Sequence, residues 1–366
     1  MKVIEYLKEN GTEKLTSEFG VIVKKYEDDQ LLVLNYDQIN SPKNDITSEC
    51  RGLILDYDYN IVSRSFDRFF NYGEQFASFN PATAVAYEKV DGSLIKIYKH
   101  KDHWHCSTRG TAFAESGVNG WDLTFKDMVL KALELRDEDD FQAHCNTLLD
   151  ESRTYVFEVT GRQNRVVTRY ENEALWFLAS RNNKTGRYYT HEFLNVVNLF
   201  KAKFPREFKF DSVEHCLETA KHLPDLQEGY VMYESGVPVC KVKSPAYVAV
   251  HHIRGEGLTP KRIAELVVID EQEEYLTYFE EDRKFFTPYV EALDFQLKSA
   301  QHHYHKFRDI EDQKEFALCV KDYHYAQYLF QARKMGESDI YKVFNVSETN
   351  RKVKFLLGLM GEKEDA

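Results

Sequence analysis

Charged residues that interrupt short, strand-like apolar runs constrain this chain more than any other feature of its sequence. The runs are spread over the first 250 residues and are rich in Val, Ile, Tyr and Phe, which favour β-strands. A charge among apolar strand residues is costly to bury unless a partner or a ligand meets it. The sequence therefore predicts sheets that bring these charges together, namely Lys89, Glu158, Glu228, Lys241 and Lys243.

The secondary-structure pattern changes near residue 255. Strand candidates precede the change, at residues 20–24, 31–36, 52–57, 84–89, 94–99, 155–160, 175–180, 230–233 and 239–243, and helices are predicted at 123–136, 191–200 and 213–223. After it, Thr259-Pro260 is a helix N-cap followed by proline at the first helical position. Phe316, Cys319, Val320 and Tyr323 recur at helical spacing, and Gly336 is a candidate helix end. A final amphipathic stretch covers residues 340–344. We expect a mixed α and β domain over residues 1–255 and an all-helical domain over 256–366.

The composition is that of a folded protein with an acidic surface. Of 366 residues, 43% are hydrophobic, and the formal net charge is −12. This charge argues against a protein that coats nucleic acid nonspecifically, so a polynucleotide would need a local basic groove. The six cysteines are scattered, the N-terminus is too charged for a signal peptide, and no apolar run reaches membrane-spanning length. We expect a monomeric cytoplasmic protein without membrane association.

Lys89 lies before Asp91-Gly92, between two strand-like runs. Asp-Gly is also a hairpin signal, so a plain hairpin is an equally good interpretation of this segment alone. A lysine before a tight turn would present its amine to a pocket, where it would act as a nucleophile. With an ordinary pKa of about 10.4, roughly one amine in a thousand is neutral at neutral pH, so nearby cations or a metal would have to lower the pKa.

The remaining charges suit phosphate and metal. Lys241 and Lys243 are two residues apart in a strand, so they share a face and would neutralise a triphosphate; a solvated strand face is the alternative. Glu158 and Glu228 offer the hard oxygen ligands that Mg²⁺ prefers, and a buried salt bridge or an edge carboxylate is the alternative.

The ordered motifs resemble the RNA ligase 1 family of bacteriophages, tRNA-repair enzymes of the covalent nucleotidyltransferase superfamily. The resemblance covers roughly residues 45–255. Besides the charges above, it includes Glu49-Cys50-Arg51-Gly52, Arg68-Phe69-Phe70-Asn71 with Glu74, Gly161-Arg162-Gln163-Asn164-Arg165, Arg181-Asn182-Asn183-Lys184, and Lys243-Ser244 followed by Tyr247-Val248. It implies an α+β fold, with ATP-grasp-like antiparallel sheets in a nucleotidyltransferase domain and an all-α C-terminal domain.

The resemblance also implies a role for each site residue. Lys89 would attack the α-phosphate of ATP to form lysyl-AMP, with Lys241 and Lys243 on the phosphates. Glu158 would bind the ribose or the hydrated metal, and Glu228 would hold the catalytic Mg²⁺. The other nucleotide contacts would be Arg51 and Arg68 at the phosphates, Asp91 and Gly92 shaping the pocket, and Phe177 stacking on adenine.

The chain departs from the family pattern in two places. Arg68 stands where a lysine is expected, and so does Arg109 in Thr108-Arg109-Gly110. Arginine keeps the charge and can clamp phosphate with two nitrogens, so phosphate contact at Arg68 remains the prediction. In the C-terminal part, His302, His303, His305 and His324 are more typical of a solvated helix face than of a metal site.

The implied function is an ATP-dependent RNA ligase. It would join 5′-phosphate and 3′-hydroxyl ends of single-stranded RNA, with a nicked tRNA anticodon loop as substrate and an end-healing kinase–phosphatase as pathway partner. A phage-encoded protein would work in the host cytoplasm. The alternatives are a DNA ligase or capping guanylyltransferase, which normally carries a β-rich domain where this chain looks helical, and a non-catalytic RNA-binding module.

Overall fold

The strand-like runs of the sequence build three sheets in the first part of the chain. The computed structural model describes residues 1–38, 40–119, 121–189, 201–254 and 258–362. Sheet I is antiparallel in the order β1-β2-β3-β4, with strands Val21–Tyr26, Leu31–Tyr36, Arg51–Asp56 and Ile61–Ser63. The chain separates into two compact units, Met1–His251 and His252–Ala366.

Sheets II and III carry the charged residues. Sheet II is antiparallel in the order β13-β12-β11-β7-β8, and sheet III has the order β14-β6-β15-β16-β5, antiparallel except for the parallel pair β16 and β5. Their strands are β5 Phe70–Asn71, β6 Val85–Glu88, β7 Ser93–His100, β8 His103–Ser107, β11 Arg153–Thr160, β12 Ala174–Asn182, β13 Tyr188–Tyr189, β14 Glu207–Phe208, β15 Gly229–Glu234 and β16 Val237–Lys243. A small ribbon pairs β9 (Gly117–Val118) with β10 (Trp121–Thr124).

The hairpin interpretation of Asp91-Gly92 is wrong. β6 pairs with β14 and β15 in sheet III, whereas β7 pairs with β11 and β8 in sheet II. Residues 89–92 therefore cross from one sheet to the other instead of turning back within one. A crossover of this kind leaves Lys89 at the junction of two sheets.

Helices cover the outer faces of the sheets. They are α1 Lys2–Phe19, α2 Asp45–Glu49, α3 Phe125–Leu133, α4 Glu138–Leu148, α5 Val213–Lys221 and α6 Pro245–Arg254. The capping box of Thr124 and Asp127 fixes the start of α3, an arrangement that stabilises a helix by about 1 kcal/mol. The helix predicted at 123–136 is therefore shorter at both ends, because residues 121–124 form a strand and Glu134 is left-handed. The helix predicted at 191–200 lies outside the described residues.

Separate apolar cores hold these layers together. Met128, Phe141 and Cys145 of α3 and α4 pack on Ile95 and Phe157 of sheet II. Each buried side chain of this size contributes about 1.5–3 kcal/mol. A smaller cluster joins the facing surfaces of the two large sheets: Phe66, Val156, Ala179 and Tyr233, with Tyr87, Leu94 and Val231 against it. That cluster fixes the position of sheet II against sheet III beside the crossover.

In its described part, the second unit is helical, which confirms the α+β class. Its helices are α7 Pro260–Val268, α8 Gln272–Tyr278, α9 Arg283–Phe307, α10 Gln313–Val320, α11 Ala326–Met335, α12 Ile340–Asn345 and α13 Thr349–Met360. The Thr259 side chain accepts from the Arg262 N–H with Pro260 at the first position, as predicted. The pattern that runs to Gly336 covers two helices, α10 and α11, because α10 ends at Val320. Among the described helices, none is long and apolar enough to cross a bilayer.

Candidate active site

Lys89 is fixed at the crossover by sheet III. Its backbone N–H donates to the carbonyl of Gly229 at 2.8 Å, and its Nζ donates to Glu228 Oε2 at 2.6 Å. Lys243 Nζ lies 3.0 Å from the other oxygen of the same carboxylate. The Glu228 side chain is only 4% exposed, so a single buried carboxylate is compensated by two ammonium groups. Glu228 therefore forms the buried salt bridge that the sequence left open as an alternative to metal binding, and this salt bridge includes Lys89 and Lys243.

Two glycines are required where strands approach the crossover. A Cβ on Gly92 would lie 2.3 Å from the Val159 carbonyl oxygen, directly after Glu158 in β11. Gly229 has φ +138, and its Cβ would lie 2.0 Å from the Val242 carbonyl oxygen. Any side chain at either position would push a site strand away. Gly92 therefore allows β11 to approach the crossover closely, and its role in shaping the nucleotide pocket stays a prediction.

Asp91 is buried and bonds to protein groups on every side. Its Oδ2 accepts from the backbone N–H groups of Val167 and Thr168 at 2.8 and 2.7 Å, and its Oδ1 accepts from the Tyr247 hydroxyl at 2.7 Å. Asp91 thereby ties the crossover to the loop after β11 and to helix α6. Asp91 is not among the residues that line the cavity, and its role in shaping the nucleotide pocket stays a prediction. The Asp91–Tyr247 bond was not predicted, although both residues lie in the resemblance motifs.

Lys241 and Lys243 share one face of β16, as their spacing predicts. The buried residues Cys240 and Val242 alternate with them and pack beneath α5, so both lysines line the cavity on the opposite face. Lys243 is ion-paired, whereas Lys241 makes no ion pair with the described residues and lies 5.3 Å from the Phe69 ring. Burial, together with Lys89, Arg51 and Lys243, lowers the pKa of Lys241 to about 7.

The carboxylates control the charge of Lys89. Burial alone would lower the pKa of the Lys89 amine, but Glu228 and Glu158 outweigh it and raise the pKa. The lowering that a nucleophile needs is therefore not supplied by the cationic residues around it. Burial of Glu228 is likewise outweighed, because Lys89 and Lys243 lower the pKa of this carboxyl.

Glu158 is the unsatisfied carboxylate of the site. Burial raises the pKa of Glu158 to about 7, and Glu228 adds to the effect while Lys89 opposes it. Glu158 accepts no hydrogen bond from the described residues, and it lines the cavity with Glu228. Two crowded carboxylates, one without a donor, are a fitting ligand pair for a hydrated divalent cation. In the described part of the chain, no group of three or more His, Cys, Asp or Glu side chains forms a metal cage.

Three arginines form a cationic wall that the sequence predicted only in part. The guanidinium groups of Arg68 and Arg109 lie 4.3 and 4.9 Å from the Tyr36 ring, and Arg51 lies 5.2 Å from the Phe69 ring. Arg51 Nε, Arg68 Nη1 and Arg109 Nε are buried and have no hydrogen-bond partner in the described structure. Arg51 and Arg109 line the cavity described below, whereas Arg68 is not among its lining residues. Unused guanidinium donors suit a phosphate ligand. Thr108-Arg109-Gly110 was a weak signal because only the fold brings Arg109 to Tyr36.

A buried ion-pair network precedes Arg68 in the chain. Arg181, 4% exposed, lies 3.0 Å from Asp67, and Arg64 reaches the same carboxylate at 2.9 Å. Arg181 also donates to the Ser65 carbonyl at 2.6 Å. These bonds anchor residues 64–67 on sheet II and thereby hold Arg68 beside Tyr36.

The charged residues converge on one cavity of about 250 Å³. Its walls include Tyr36, Arg51, Phe66, Phe69, Tyr87, Lys89, Leu94, Arg109, Glu158, Phe177, Glu228, Tyr233, Lys241 and Lys243. Phe177 is 1% exposed and packs edge-to-face on Phe157 and Phe204, with ring centroids at 5.5 and 5.9 Å. Stacking of Phe177 on adenine stays a prediction.

The four histidines singled out in the C-terminal part belong to no group of metal-binding side chains in the described part of the chain. His303 stacks on Tyr323 at 4.4 Å, and its Nδ1 is 2.7 Å from the Tyr325 hydroxyl. His302, His305 and His324 are exposed.

A lysine at the junction of two sheets, with a carboxylate pair and cations around it, defines the class of protein as a nucleotidyltransferase. The chain belongs to the RNA ligase family, whose model matches residues 49–247. The match ends at Tyr247, the residue that bonds Asp91.

Two relatives of the chain that carry RNA ligase names come from viruses. A putative bifunctional polynucleotide kinase/RNA ligase of Autographa californica nuclear polyhedrosis virus is 41% identical over 308 residues, which are 80% of this chain and 44% of the relative. The RNA ligase of Rhodothermus phage RM378 is 24% identical over 79% of this chain and 82% of its own length. A solved archaeal ATP-dependent RNA ligase overlaps 94% of this chain and 80% of its own, with 16% identity and a TM-score of 0.45. The chain thus spans less than half the length of the baculovirus relative.

Proposed function

We propose that this chain is an ATP-dependent RNA ligase that works through a lysyl-AMP intermediate. The observation that carries the proposal is the Lys89 amine, held 2.6 Å from Glu228 at the sheet crossover and surrounded by cations that fit phosphate. Family membership favours RNA over DNA ends as the substrate.

The reaction has three balanced steps. The neutral Lys89 amine attacks the α-phosphorus of ATP, so that a P–N bond forms, the bond to pyrophosphate breaks and the amine releases a proton. A 5′-phosphate oxygen of RNA then attacks the same phosphorus, the P–N bond breaks, and the Lys89 nitrogen takes up a proton to become an amine again. Finally, a 3′-hydroxyl attacks the 5′-phosphorus and releases its proton, the phosphoanhydride bond breaks, and AMP leaves. Charge neutralisation by Lys241 and Lys243 and by the arginines Arg51, Arg68 and Arg109 serves all three steps.

Glu158 and Glu228 are the residues that would hold Mg²⁺. A divalent cation there would offset the two carboxylates that raise the pKa of Lys89, and so favour the neutral amine. Since Glu228 already bonds Lys89 and Lys243, it would reach the cation through water. Glu158, which accepts no hydrogen bond from the described residues, would serve the cation or the ribose.

For the biological substrate we propose a broken tRNA anticodon loop. The motif resemblance supports this substrate, and the kinase/ligase name of the baculovirus relative supports a partner that repairs the ends before sealing. Such a partner would supply the 5′-phosphate and 3′-hydroxyl that the chemistry requires.

The first prediction concerns the nucleophile. Incubation with α-labelled ATP and Mg²⁺ should label the protein, and Lys89→Ala should abolish the label because no other lysine occupies the crossover. Label should then pass to 5′-phosphorylated single-stranded RNA, with joined or circular RNA as product. Lys99→Ala is the matched control, since Lys99 lies on β7 and is paired with Glu151.

The alternatives give different outcomes. Labelling by GTP instead of ATP would indicate a capping-type enzyme. A folded protein without label and without bound AMP would indicate a binding module. Retention of label in Lys89→Ala would exclude Lys89 as the nucleophile.

A further inference from the structure

A short turn beside sheet III presents aromatic rings to solvent. Tyr72 is 37% exposed, and Phe76 is 98% exposed, the highest value among the exposed large apolar side chains of the described chain. A fully hydrated phenylalanine contributes nothing to the core. The two other aromatic residues of this segment are less exposed. Phe79 is buried at 7%, and Phe70 is partly covered.

The backbone of this turn holds Phe76 outward. Gln75 and Phe76 have φ of 50 and 61, consecutive left-handed positions that residues with a Cβ rarely adopt. Two hydrogen bonds close the turn: the Gly73 N–H donates to the Ala77 carbonyl at 2.8 Å, and the Ala77 N–H donates to the Glu74 carbonyl at 2.9 Å. Such conformations persist where surrounding bonds impose them, and they concentrate at functional sites.

The turn is attached to the strand that carries the catalytic cations. β5 pairs with β16 so that Asn71 lies opposite Lys241, and the Tyr72 N–H donates to the Lys241 carbonyl at 2.8 Å. On the other side, Lys43 is paired with Glu74 and lies 5.9 Å from the Phe70 ring, and Arg68 lies 5.4 Å from the same ring. Cations thus lie beside the partly covered Phe70 ring on β5, the strand that leads into the turn with Tyr72 and Phe76, on a protein whose net charge is −12.

We propose that Phe76, flanked by Tyr72, is a stacking site for a base of the RNA strand whose end is being joined. The inference rests on the proposed function and extends it to the path of the RNA. Single-stranded nucleic acid requires cations for its backbone and exposed rings for its bases, and stacking tolerates any base because every base has a π-face. The guanidinium of Arg68, 5.4 Å from the Phe70 ring, favours a polyanion over a partner protein with an apolar surface.

Replacement of Phe76 separates RNA engagement from chemistry on ATP. Phe76→Ala should leave labelling of the protein by ATP at the wild-type rate and raise the RNA concentration for half-maximal joining by about 10-fold. Phe76→Tyr should restore joining, since the ring is kept. Tyr57→Ala is the matched control: Tyr57 is an aromatic residue of the same unit, 42% exposed, at the end of sheet I.

A fluorescence measurement of RNA binding tests the stacking site independently of catalysis. In Phe76→Trp, the added fluorescence relative to wild type should be quenched by 5′-phosphorylated single-stranded RNA and not by ATP. Equal joining by Phe76→Ala and wild type, or an added tryptophan signal that RNA does not change, would overturn the stacking site. If wild type forms no lysyl-AMP, the proposed function fails, and the fluorescence titration still tests the stacking site.

Discussion

At the scale of single residues, Lys241 and Lys243 show that two lysines on one strand face can have different electrostatic environments. Lys243 is neutralised by Glu228, whereas Lys241 faces Lys89 and Arg51 without an ion pair in the described structure. The lowered pKa of Lys241, about 7, places its charge change near neutrality. A triphosphate beside it would favour the charged form and raise its pKa again.

ATP binding should therefore take up a proton at Lys241. At pH 8, an amine with a pKa of about 7 is mostly neutral, so binding should add up to about one proton. Calorimetric titration with ATP, without divalent metal, in two buffers of different ionisation enthalpy measures this number. In Lys241→Arg, the guanidinium is charged before and after ATP binds. This variant should therefore take up fewer protons than wild type, by the number that Lys241 binds. Equal proton uptake by the two proteins would show that Lys241 is already charged before ATP binds.

At the scale of the element, strand β7 carries a buried cation with a structural role. Lys96 is 0% exposed, and its ammonium donates to the Gly52 carbonyl of β3, which joins sheet II to sheet I. Burial lowers the pKa of Lys96 to about 7. The unfolded chain, with an ordinary lysine pKa, binds more protons than the folded chain between pH 7 and about 10.5, so this group makes stability rise with pH across that window.

Lys96→Met should remove that dependence. The free energy of unfolding should increase by roughly 2 kcal/mol at pH 7, because an uncompensated buried charge is replaced by an apolar chain of similar length. The advantage over wild type should shrink as the pH approaches 10. Urea unfolding at pH 7, 8.5 and 10 measures the difference, which is insensitive to other titrating groups. A constant difference across the series would mean that Lys96 stays charged in the folded chain.

The sequence could predict the strands but not their assignment to sheets. Runs rich in Val, Ile, Tyr and Phe revealed nine strands near their observed positions, including Lys241 and Lys243 on one face. Strand β8 and the short strands β4, β5, β9, β10, β13 and β14 were not predicted. Asp91-Gly92 could not reveal the crossover, because the same dipeptide closes hairpins and only long-range pairing decides between them. Helices α1 and α4 were not predicted: α1 is interrupted at Gly11, and the first turn of α4 is entirely acidic. Arg109 joins the arginine wall through tertiary packing on Tyr36, which no local pattern encodes.

At the scale of the whole molecule, the residues of the candidate site all belong to one compact unit. Every side chain that lines the cavity falls within Met1–His251, and the last of the positioning bonds is that of Tyr247 on α6. The proposed nucleotide chemistry therefore uses residues that precede the second unit. The helical unit has its own buried apolar residues, including Leu329, Tyr328 and Phe355.

A fragment of residues 1–254 should therefore keep lysyl-AMP formation and lose tRNA sealing. The fragment retains Tyr247 and hence its bond to Asp91, so labelling of the fragment by ATP should stay within about threefold of the full chain. Sealing of a nicked tRNA should fall at least about tenfold, which is the effect of losing about 1.4 kcal/mol of binding free energy. Label incorporation and tRNA sealing are measured on the same preparation, with circular dichroism to establish folding. Lys89→Ala in the fragment provides the unlabelled control. Equal loss of both activities in a folded fragment would make the helical unit a brace for the cavity instead of a selector of RNA, because a brace acts on ATP chemistry and sealing alike.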